Sequence, residues 1–264
     1  MSRQARPIRS DIAWSTRDRI VVRGKDLPNE LLGHINLGDM AFLELTGRIP
    51  SAQESLVFNA MLVALVEHGI TPSALAARLT YIGAPESLQG AVAAGLCGLG
   101  SVFVGSMEGA ARMLSEALPR ERLDQLDDSM LDALATQIVA GFSQRKAIVP
   151  GLGHPFHKPV DPRAPRLFQL ATENGLAGPY VSLMIRVGAE AERVSGKSLP
   201  VNATGAIGAI CCELGFPHKI VRGFGVMARA IGLVGHILEE SESPMAAELW
   251  QRADDEAVAH LRPD

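Results

Sequence analysis

The chain has few aromatic residues and few cysteines, and neither sign of charge dominates. Aromatic residues make up 5% of its 264 residues, while all hydrophobic residues together make up 47%. The core is therefore built mainly from Ala, Leu, Val, Ile and Gly, a composition that favours closely packed helices. A net charge of −4 excludes the chain-wide basic face that a nucleic-acid-binding protein needs. The length allows one large domain or two modest ones.

The three cysteines form no CxxC pair and show no metal-ligand spacing, so we interpret Cys97, Cys211 and Cys212 as core residues in a reducing compartment. Residues 1–10 lead into no apolar run, which predicts a flexible arm rather than a secretory signal. Residues 91–107 carry no charge but are dense in Gly and Ser, which predicts a buried helix and a turn rather than a membrane span. We therefore expect a cytoplasmic protein with no membrane partner.

Helical spacing dominates the chain after one short β-branched run at residues 17–23, which stops at residues 24–26 and predicts one short N-terminal strand or hairpin. Ser51 and Glu54 form a capping box that predicts a helix start, and Thr71-Pro72 predicts another. Further helices are predicted near residues 86–98, 108–118, 130–142, 162–174, 180–194, 203–214, 221–239 and 244–261. No internal repeat or polar linker divides these elements, so we predict one mostly α-helical domain over residues 1–264.

Residues 149–163 form the most distinctive segment. Gly and Pro interrupt it repeatedly, and it holds two histidines and a lysine: His154, His157 and Lys158. Asp161 and Pro162 predict a helix start, with Asp as N-cap and Pro at the first helical position. Arg163 would then lie in the first turn, where a cation is unfavourable for the helix dipole, which indicates an anionic partner. The alternative interpretation of the segment is an ordinary surface turn.

The string Pro-Gly-Leu-Gly-His at residues 150–154, followed by Asp-Pro-Arg at 161–163, resembles the active-site segment of the citrate synthase superfamily. That superfamily also contains the citryl-CoA lyases and the lyase module of ATP-citrate lyase. Four more segments resemble the family in the same order: residues 32–50, 68–78, 201–205 and 224–232. The resemblance implies a citrate synthase-like helical fold with a large and a small subdomain, and a homodimer.

Two positions depart from the synthase pattern. Phe103 stands where synthases carry a histidine that helps to form the enol of the acetyl thioester, and this phenylalanine resembles the lyase module of ATP-citrate lyase. Asn202 stands where the family usually has an aspartate, and an amide cannot exchange a proton at neutral pH. Both departures weaken the synthase interpretation. The missing aspartate also leaves a lyase without its expected proton donor, for which Glu108 is the nearest acid in the sequence.

The resemblance implies catalytic and substrate-binding roles for four residues. His154 would take the substrate hydroxyl proton, Arg163 and Arg229 would hold carboxylates with their bidentate geometry, and His68 would contact the substrate. Each has a purely structural alternative. These are a loop histidine that caps a turn for His154, a surface ion pair for Arg163, a snorkelling side chain for Arg229 and a helix C-cap for His68.

The remaining predicted contacts concern the thioester and the coenzyme. Asn202 would hydrogen-bond the thioester oxygen or a carboxyl group, or serve as a helix N-cap, or do both. Phe103 would contact the substrate. The backbone of Gly151, Leu152 and Gly153 would face the adenine of coenzyme A, and Lys158 would meet its phosphates unless it is simply solvated. The other histidines show no spacing for a metal, so we expect none: His34, His157, His218, His236 and His260.

The function implied is that of a citryl-CoA lyase-like enzyme, which cleaves a 3-hydroxy-3-carboxy acyl-CoA into an acyl-CoA, such as acetyl-CoA, and a 2-oxo acid, such as oxaloacetate. Coenzyme A would enter as part of the substrate. One alternative is a citrate or methylcitrate synthase. A different class of protein, one that binds a CoA ester with little or no turnover, is the second alternative.

Overall fold

The computed structural model describes residues 8–262, except for the side chains of residues 124 and 125. The chain separates into two compact units, residues 1–59 and 60–264. The helix Ala52–Val66 runs through this boundary. The predicted arm falls mostly on residues 1–7, which lie outside the described residues. The single domain predicted over the whole chain stays a prediction.

The first unit contains the predicted hairpin and one further strand. Strands β1 (Ala13–Ser15), β2 (Ile20–Val22) and β3 (Lys25–Asp26) form an antiparallel sheet in that order. The turn between β2 and β3 consists of Arg23 and Gly24, both with positive φ, as tight hairpin turns require. A π-helical turn follows at Leu27–Leu31, and then helix α1 at Leu37–Thr46, which ends at Gly47 in the left-handed conformation.

Helices build almost all of the second unit. They are α2 (Ala52–Val66), which begins in the first unit, α3 (Pro72–Gly83), α4 (Leu88–Cys97), α5 (Gly105–Ala117), α6 (Asp128–Gln144), α7 (Arg163–Glu173), α8 (Pro179–Ser195), α9 (Ala203–Glu213), α10 (His218–Glu242) and α11 (Ala246–Val258). Two 3₁₀ turns, Arg120–Gln125 and Ala259–Leu261, complete the helical elements among the described residues. The mostly helical fold class and the N-terminal hairpin are confirmed.

The helix boundaries agree with the sequence predictions to within a few residues, and two differences have a clear cause. Helix α5 begins three residues earlier than predicted, because Gly105 and Ser106 are weak helix formers that conceal the start. Helix α7 begins at Arg163 with Pro162 at the cap position, one residue later than predicted, because the first turn after Asp161 is not yet α-helical. Asp161 Oδ1 still accepts the Arg163 N–H (3.2 Å), as a capping side chain does, and the carboxylate also accepts hydrogen bonds from the Arg163 guanidinium.

Helix α9 lies at the centre of the second unit and contacts α5, α7, α8 and α10. Ala203 and every residue from 205 to 212 are buried, because Gly and Ala leave little side chain between α9 and its neighbours. At Gly208 a Cβ atom would lie 2.8 Å from the Cβ of Ala110 on α5. The glycine is therefore required for this close helix contact.

Helix α10 is long and apolar enough to span a membrane by length and composition alone, although 39% of its most apolar window is buried inside the protein. It packs against α3, α4, α5 and α9. A buried core helix meets the same criterion.

Candidate active site

A cavity of about 770 Å³ in the second unit gathers most of the residues singled out from the sequence. Its volume is in the usual range for small-molecule sites. The predicted site residues that line it are His68, Phe103, Leu152, Gly153, His154, Arg163, Asn202 and Arg229. Two predicted residues, Gly151 and Lys158, are not part of the lining, and the Lys158 side chain is exposed.

The loop that carries His154 is held against the start of α9. Leu152 and Val201 form an antiparallel bridge, the Gly153 N–H donates to the Pro200 carbonyl (2.8 Å), and the Asn202 N–H donates to the Gly151 carbonyl (3.0 Å). Gly151 has φ +86°, and a Cβ atom there would lie 2.5 Å from the Cα of Gly205. The glycine is therefore needed for close backbone contact with α9.

These bonds occupy backbone groups that were predicted to face coenzyme A. The Gly151 N–H donates to Ser106 Oγ (2.9 Å), and the Gly153 carbonyl accepts from Asn202 Nδ2 (2.6 Å). With its own N–H bonded to Pro200, Gly153 uses both main-chain groups to hold the loop. Adenine recognition by this backbone stays a prediction, and the glycines have a demonstrated structural role.

Asn202 is an N-cap and lines the cavity at the same time. Its Oδ1 accepts from the Gly205 N–H (3.1 Å) and from Thr204 Oγ1 (2.6 Å), while its Nδ2 donates to the Gly153 carbonyl. The amide is thus fixed between the loop and α9, which is the typical geometry of an N-cap. The capping half of the sequence interpretation is confirmed, and the substrate contact stays a prediction.

Asp161 is completely buried and orients Arg163. The Arg163 Nε and Nη2 donate to the two oxygens of Asp161 at 3.0 and 2.9 Å, and the Ala203 N–H also donates to Asp161 (2.9 Å). Burial by itself would raise the pKa of Asp161, but the hydrogen bonds from Arg163 and Ala203 outweigh it and lower this pKa from 3.8 to about 2. The charged pair fixes one edge of the guanidinium and leaves Nη1 for a ligand.

This pairing gives Arg163 one anionic partner inside the protein, Asp161, and binding of an external anion stays a prediction. Asp161 lies just before the helix, as the sequence predicts, and the structure adds its contacts with the Arg163 guanidinium and the Ala203 N–H.

Arg229 and His68 are joined by Glu67, which the sequence analysis did not single out. Glu67 Oε1 accepts from the N–H groups of His68 and Gly69, both at 2.7 Å, and lies 3.5 Å from Arg229 Nη1. Glu67 Oε2 lies 3.0 Å from His236 Nε2. One carboxylate therefore positions both a cation and a histidine of the cavity. Nothing local in the sequence distinguishes Glu67 from other helix-end glutamates.

His154 has a defined tautomer in this arrangement. Its Nδ1 accepts from the N–H groups of Phe156 (3.2 Å) and His157 (3.0 Å), so the neutral ring carries its proton on Nε2. Burial lowers the pKa of His154, and His157 and Arg163 lower it further, while Asp161 partly opposes them. The neutral ring is thus a hydrogen-bond donor, whereas the sequence-based role of a proton acceptor requires a free Nε2.

Three histidines form one cluster, His68, His154 and His157, and the first two of them line the cavity. The Nε2 atoms of His68 and His157 are 3.2 Å apart, and the His154 and His157 rings stack with centroids 4.3 Å apart. One nitrogen from each ring lies within 4.8 Å of the others, a spacing that could hold a metal ion. Coordination through His154 Nε2 would, however, require a proton on Nδ1, which already faces two N–H donors. The expectation of no metal stays a prediction.

Glu108, the acid suggested to replace the missing aspartate, does not line the cavity. It forms an ion pair with Arg222 (Oε2 to Nε, 2.9 Å). No Asp or Glu side chain is among the described residues that line the cavity. Imidazole rings are therefore the groups in this lining that can exchange a proton near neutral pH.

Residues 18–250 match the family described as citrate synthase, C-terminal domain. The chain belongs to this citrate synthase family. Among solved structures, it is similar to the citryl-CoA lyase from Hydrogenobacter thermophilus, with 33% identity, a TM-score of 0.78 and coverage of 89% of this chain and 87% of that one. The resemblance seen in the sequence is confirmed.

Two further relatives are more distant. Citrate synthase 2 from Bacillus subtilis is 26% identical over 202 residues, which is 75% of this chain but only 50% of that protein, so the chain spans half the length of this relative. The ATP citrate lyase from Methanothrix soehngenii, solved with citrate and coenzyme A, is 20% identical with a TM-score of 0.72 and covers 91% of this chain and 40% of that one. At this identity the likeness shows the fold alone.

Proposed function

We propose that this protein is a citryl-CoA lyase-like enzyme that cleaves a 3-hydroxy-3-carboxy acyl-CoA into acetyl-CoA and oxaloacetate. The observation that carries the proposal is the cavity itself, which combines two arginines and two histidines with no acidic side chain among its described lining residues. The arginines suit the carboxylates of a citryl group. Similarity to a citryl-CoA lyase over 87% of that protein's chain supports the choice within the family.

The chemistry of cleavage fits these side chains. Arg163 and Arg229 would hold carboxylates, with their guanidinium groups oriented by Asp161 and Glu67. His154 would donate its Nε2–H to the oxygen on C3, which carries the negative charge of the alkoxide that forms before the carbon–carbon bond breaks. Cleavage and condensation both exchange a proton at the acetyl methyl carbon, and neither Phe103 nor Asn202 can supply it.

The rim of the cavity suits the remainder of the acyl-CoA. Val102, Phe103, Ile148 and Phe156 line the cavity and are exposed, although large apolar side chains are usually buried. We propose that they contact the pantetheine arm and the adenine of coenzyme A. Binding would then cover a surface that is costly to expose to water.

Replacing His154 by alanine is expected to lower the kcat of citryl-CoA cleavage by about 10²- to 10³-fold, because it removes a hydrogen bond that strengthens in the transition state. Oxaloacetate release would be followed by coupled reduction, beside a reverse assay that detects free CoA. His154→Gln, which keeps an N–H donor, should recover part of the loss. Tight CoA-ester binding by the wild type without turnover in either direction would contradict the lyase assignment and favour a binding protein.

We also propose a homodimer formed through α3 and α10. These helices contact each other, and they carry five exposed large aliphatic side chains at helical spacing: Leu79, Ile82, Ile231, Val234 and Leu238. An exposed apolar stripe of this kind is typical of a subunit interface.

The absence of a CxxC pair agrees with a cytoplasmic location, which we propose on that ground.

The substitution Ile231→Lys is expected to shift the protein from dimer to monomer, because a charge would lie in the apolar contact. Light scattering after size-exclusion chromatography would measure the mass. Val194→Lys, at an exposed position on α8, is the matched control and should leave the mass unchanged. A wild-type monomer at micromolar concentration would contradict the proposal.

A further inference from the structure

We propose that His236 and Arg78 are positioning residues for Arg229, the arginine of α10 that would hold a substrate carboxylate. They act through Glu67, whose carboxylate contacts the Arg229 guanidinium. This inference rests on the proposed lyase function. Neither His236 nor Arg78 lines the cavity, and both are buried, with exposed fractions of 8% and 0%. Any effect of theirs on a bound substrate is therefore indirect.

Arg78 fixes the orientation and the tautomer of His236. Its Nε and Nη2 lie 3.2 and 2.9 Å from His236 Nδ1, and its Nη1 donates to Glu240 Oε2 (2.9 Å). A guanidinium has hydrogen-bond donors only, so His236 Nδ1 must be the acceptor. The ring proton of His236 is then on Nε2, the nitrogen on the side of Glu67.

His236 in turn fixes one oxygen of Glu67. Its Nε2 lies 3.0 Å from Glu67 Oε2, a contact that is short in distance although not well aligned in angle. This nitrogen has no other polar partner among the described residues, so the carboxylate compensates for its burial. Gly232 makes the approach possible, because a Cβ atom there would clash with the Val66 carbonyl and lie 2.9 Å from Glu67 Oε2.

The second oxygen of Glu67 connects this chain of contacts to Arg229. Oε1 accepts the N–H groups of His68 and Gly69, both at 2.7 Å, and lies 3.5 Å from Arg229 Nη1. The Glu67 side chain is 44% exposed, so water competes for it and its carboxylate can rotate unless both oxygens are held. The backbone holds Oε1 and His236 holds Oε2, which gives Arg229 a fixed anion to orient against.

The other contacts of Arg78 serve the fold and can be separated from this role. Glu240 Oε1 accepts the N–H groups of Met245 and Ala246 at 3.0 and 2.9 Å, so the Arg78–Glu240 pair joins α3 and α10 to the start of α11. That pair explains the burial of Arg78 without any reference to the cavity. The contact between His236 and Glu67 is what extends the network to the substrate arginine.

The test uses two variants that each keep one half of the imidazole. His236→Asn keeps an acceptor near the Nδ1 position for Arg78 but is too short to reach Glu67, whereas His236→Gln places an amide N–H near the Nε2 position. We expect His236→Asn to raise the KM for citryl-CoA by about 10- to 100-fold with kcat within about threefold, because a charge-assisted bond is lost in the ground state and the transition state alike. His236→Gln should keep KM within about threefold of wild type.

The matched control is Ile237→Val, at a buried position next to His236 on the same helix. It should lower stability by leaving a small cavity, without a change in KM. Urea unfolding would be measured for all three variants. If His236 served only the fold, His236→Asn would lose kcat in step with its stability and keep the wild-type KM, and that result would overturn the inference.

A double substitution tests whether His236 acts through Arg229. In an Arg229→Met background, His236→Asn should raise KM by no more than about a further twofold, because the side chain that it positions is already gone. A further rise as large as that in the wild-type background would show an effect that does not pass through Arg229, and would contradict the proposed role.

Crystal structures of the unliganded proteins give a readout that does not depend on turnover. The Arg229 guanidinium should move by about 1 Å or more, or occupy several conformers, in His236→Asn, and should keep its wild-type position in His236→Gln. An unmoved, singly ordered Arg229 in His236→Asn would overturn the inference. If the wild type does not cleave citryl-CoA, the proposed function fails, while these structures still decide whether His236 positions Arg229.

Discussion

Replacing Arg163 by methionine is expected to lower kcat/KM for citryl-CoA by about 10²- to 10³-fold, because the substrate loses a charge-assisted hydrogen bond of about 3–4 kcal/mol. The effect is large because Asp161 fixes the guanidinium in place, so no entropy is spent to orient it when the substrate binds. Initial rates at several citryl-CoA concentrations would measure the change.

Two further variants test whether the loss of kcat/KM is specific to the Arg163 guanidinium. Arg166→Met, on the same helix but at an exposed position outside the cavity lining, should leave kcat/KM unchanged. Arg163→Lys should recover little activity, since an ammonium group cannot reproduce the bidentate contact with Asp161. Wild-type kcat/KM in a folded Arg163→Met protein would show that the arginine serves only the fold.

The substitution Asp161→Asn is expected to reduce the free energy of unfolding by about 2 kcal/mol at pH 7, the equivalent of lowering a pKa from 3.8 to about 2. It should also lower kcat/KM, because Arg163 loses the carboxylate that orients it. Urea unfolding followed by circular dichroism would measure the stability, and the citryl-CoA assay the activity.

The pH dependence of this stability difference has a definite sign. The Asp161 pKa is lower in the folded than in the unfolded protein, so its contribution is complete above the unfolded value and is lost as the pH falls from about 3.8 toward about 2. The gap between wild type and Asp161→Asn should therefore be smaller at pH 3 than at pH 7.

The control for Asp161→Asn is the same substitution at an aspartate on the surface. Asp128 pairs with Arg186, but its side chain is 88% exposed. Asp128→Asn should change the free energy of unfolding by less than about 0.5 kcal/mol. Equal effects of Asp161→Asn and Asp128→Asn would contradict the buried role of Asp161.

Much of the fold could be predicted because helix signals are local. The capping box of Ser51 and Glu54 forms with both reciprocal hydrogen bonds, at 3.2 and 2.8 Å, and Thr71 caps α3 through a bond to the Ala74 N–H. Strand β1 was missed because its three residues, Ala13–Ser15, are exposed and show no apolar alternation. A short edge strand forms because of its hydrogen bonds to the neighbouring strand rather than because of its own hydrophobic pattern.

The candidate site could be predicted in its members but not in its connections. His68, His154, Arg163, Asn202 and Arg229 were singled out from motifs, and all five line one cavity. The contacts that set their states join residues far apart in sequence, such as His68 with His157. A motif gives residue types and spacing, and it carries no information about which nitrogen of a histidine is bonded.

The sequence by itself determined the helical composition, the Gly- and Pro-shaped loop, the family and most of the residues of the cavity, because these depend on local backbone preferences and short motifs. Only the tertiary structure decided that Asp161 holds Arg163, that Glu67 joins His68 to Arg229, and that His154 Nδ1 accepts two backbone N–H groups. Each depends on a buried hydrogen bond whose partner is supplied by chain packing, which turns a neighbour distant in sequence into one at about 3 Å.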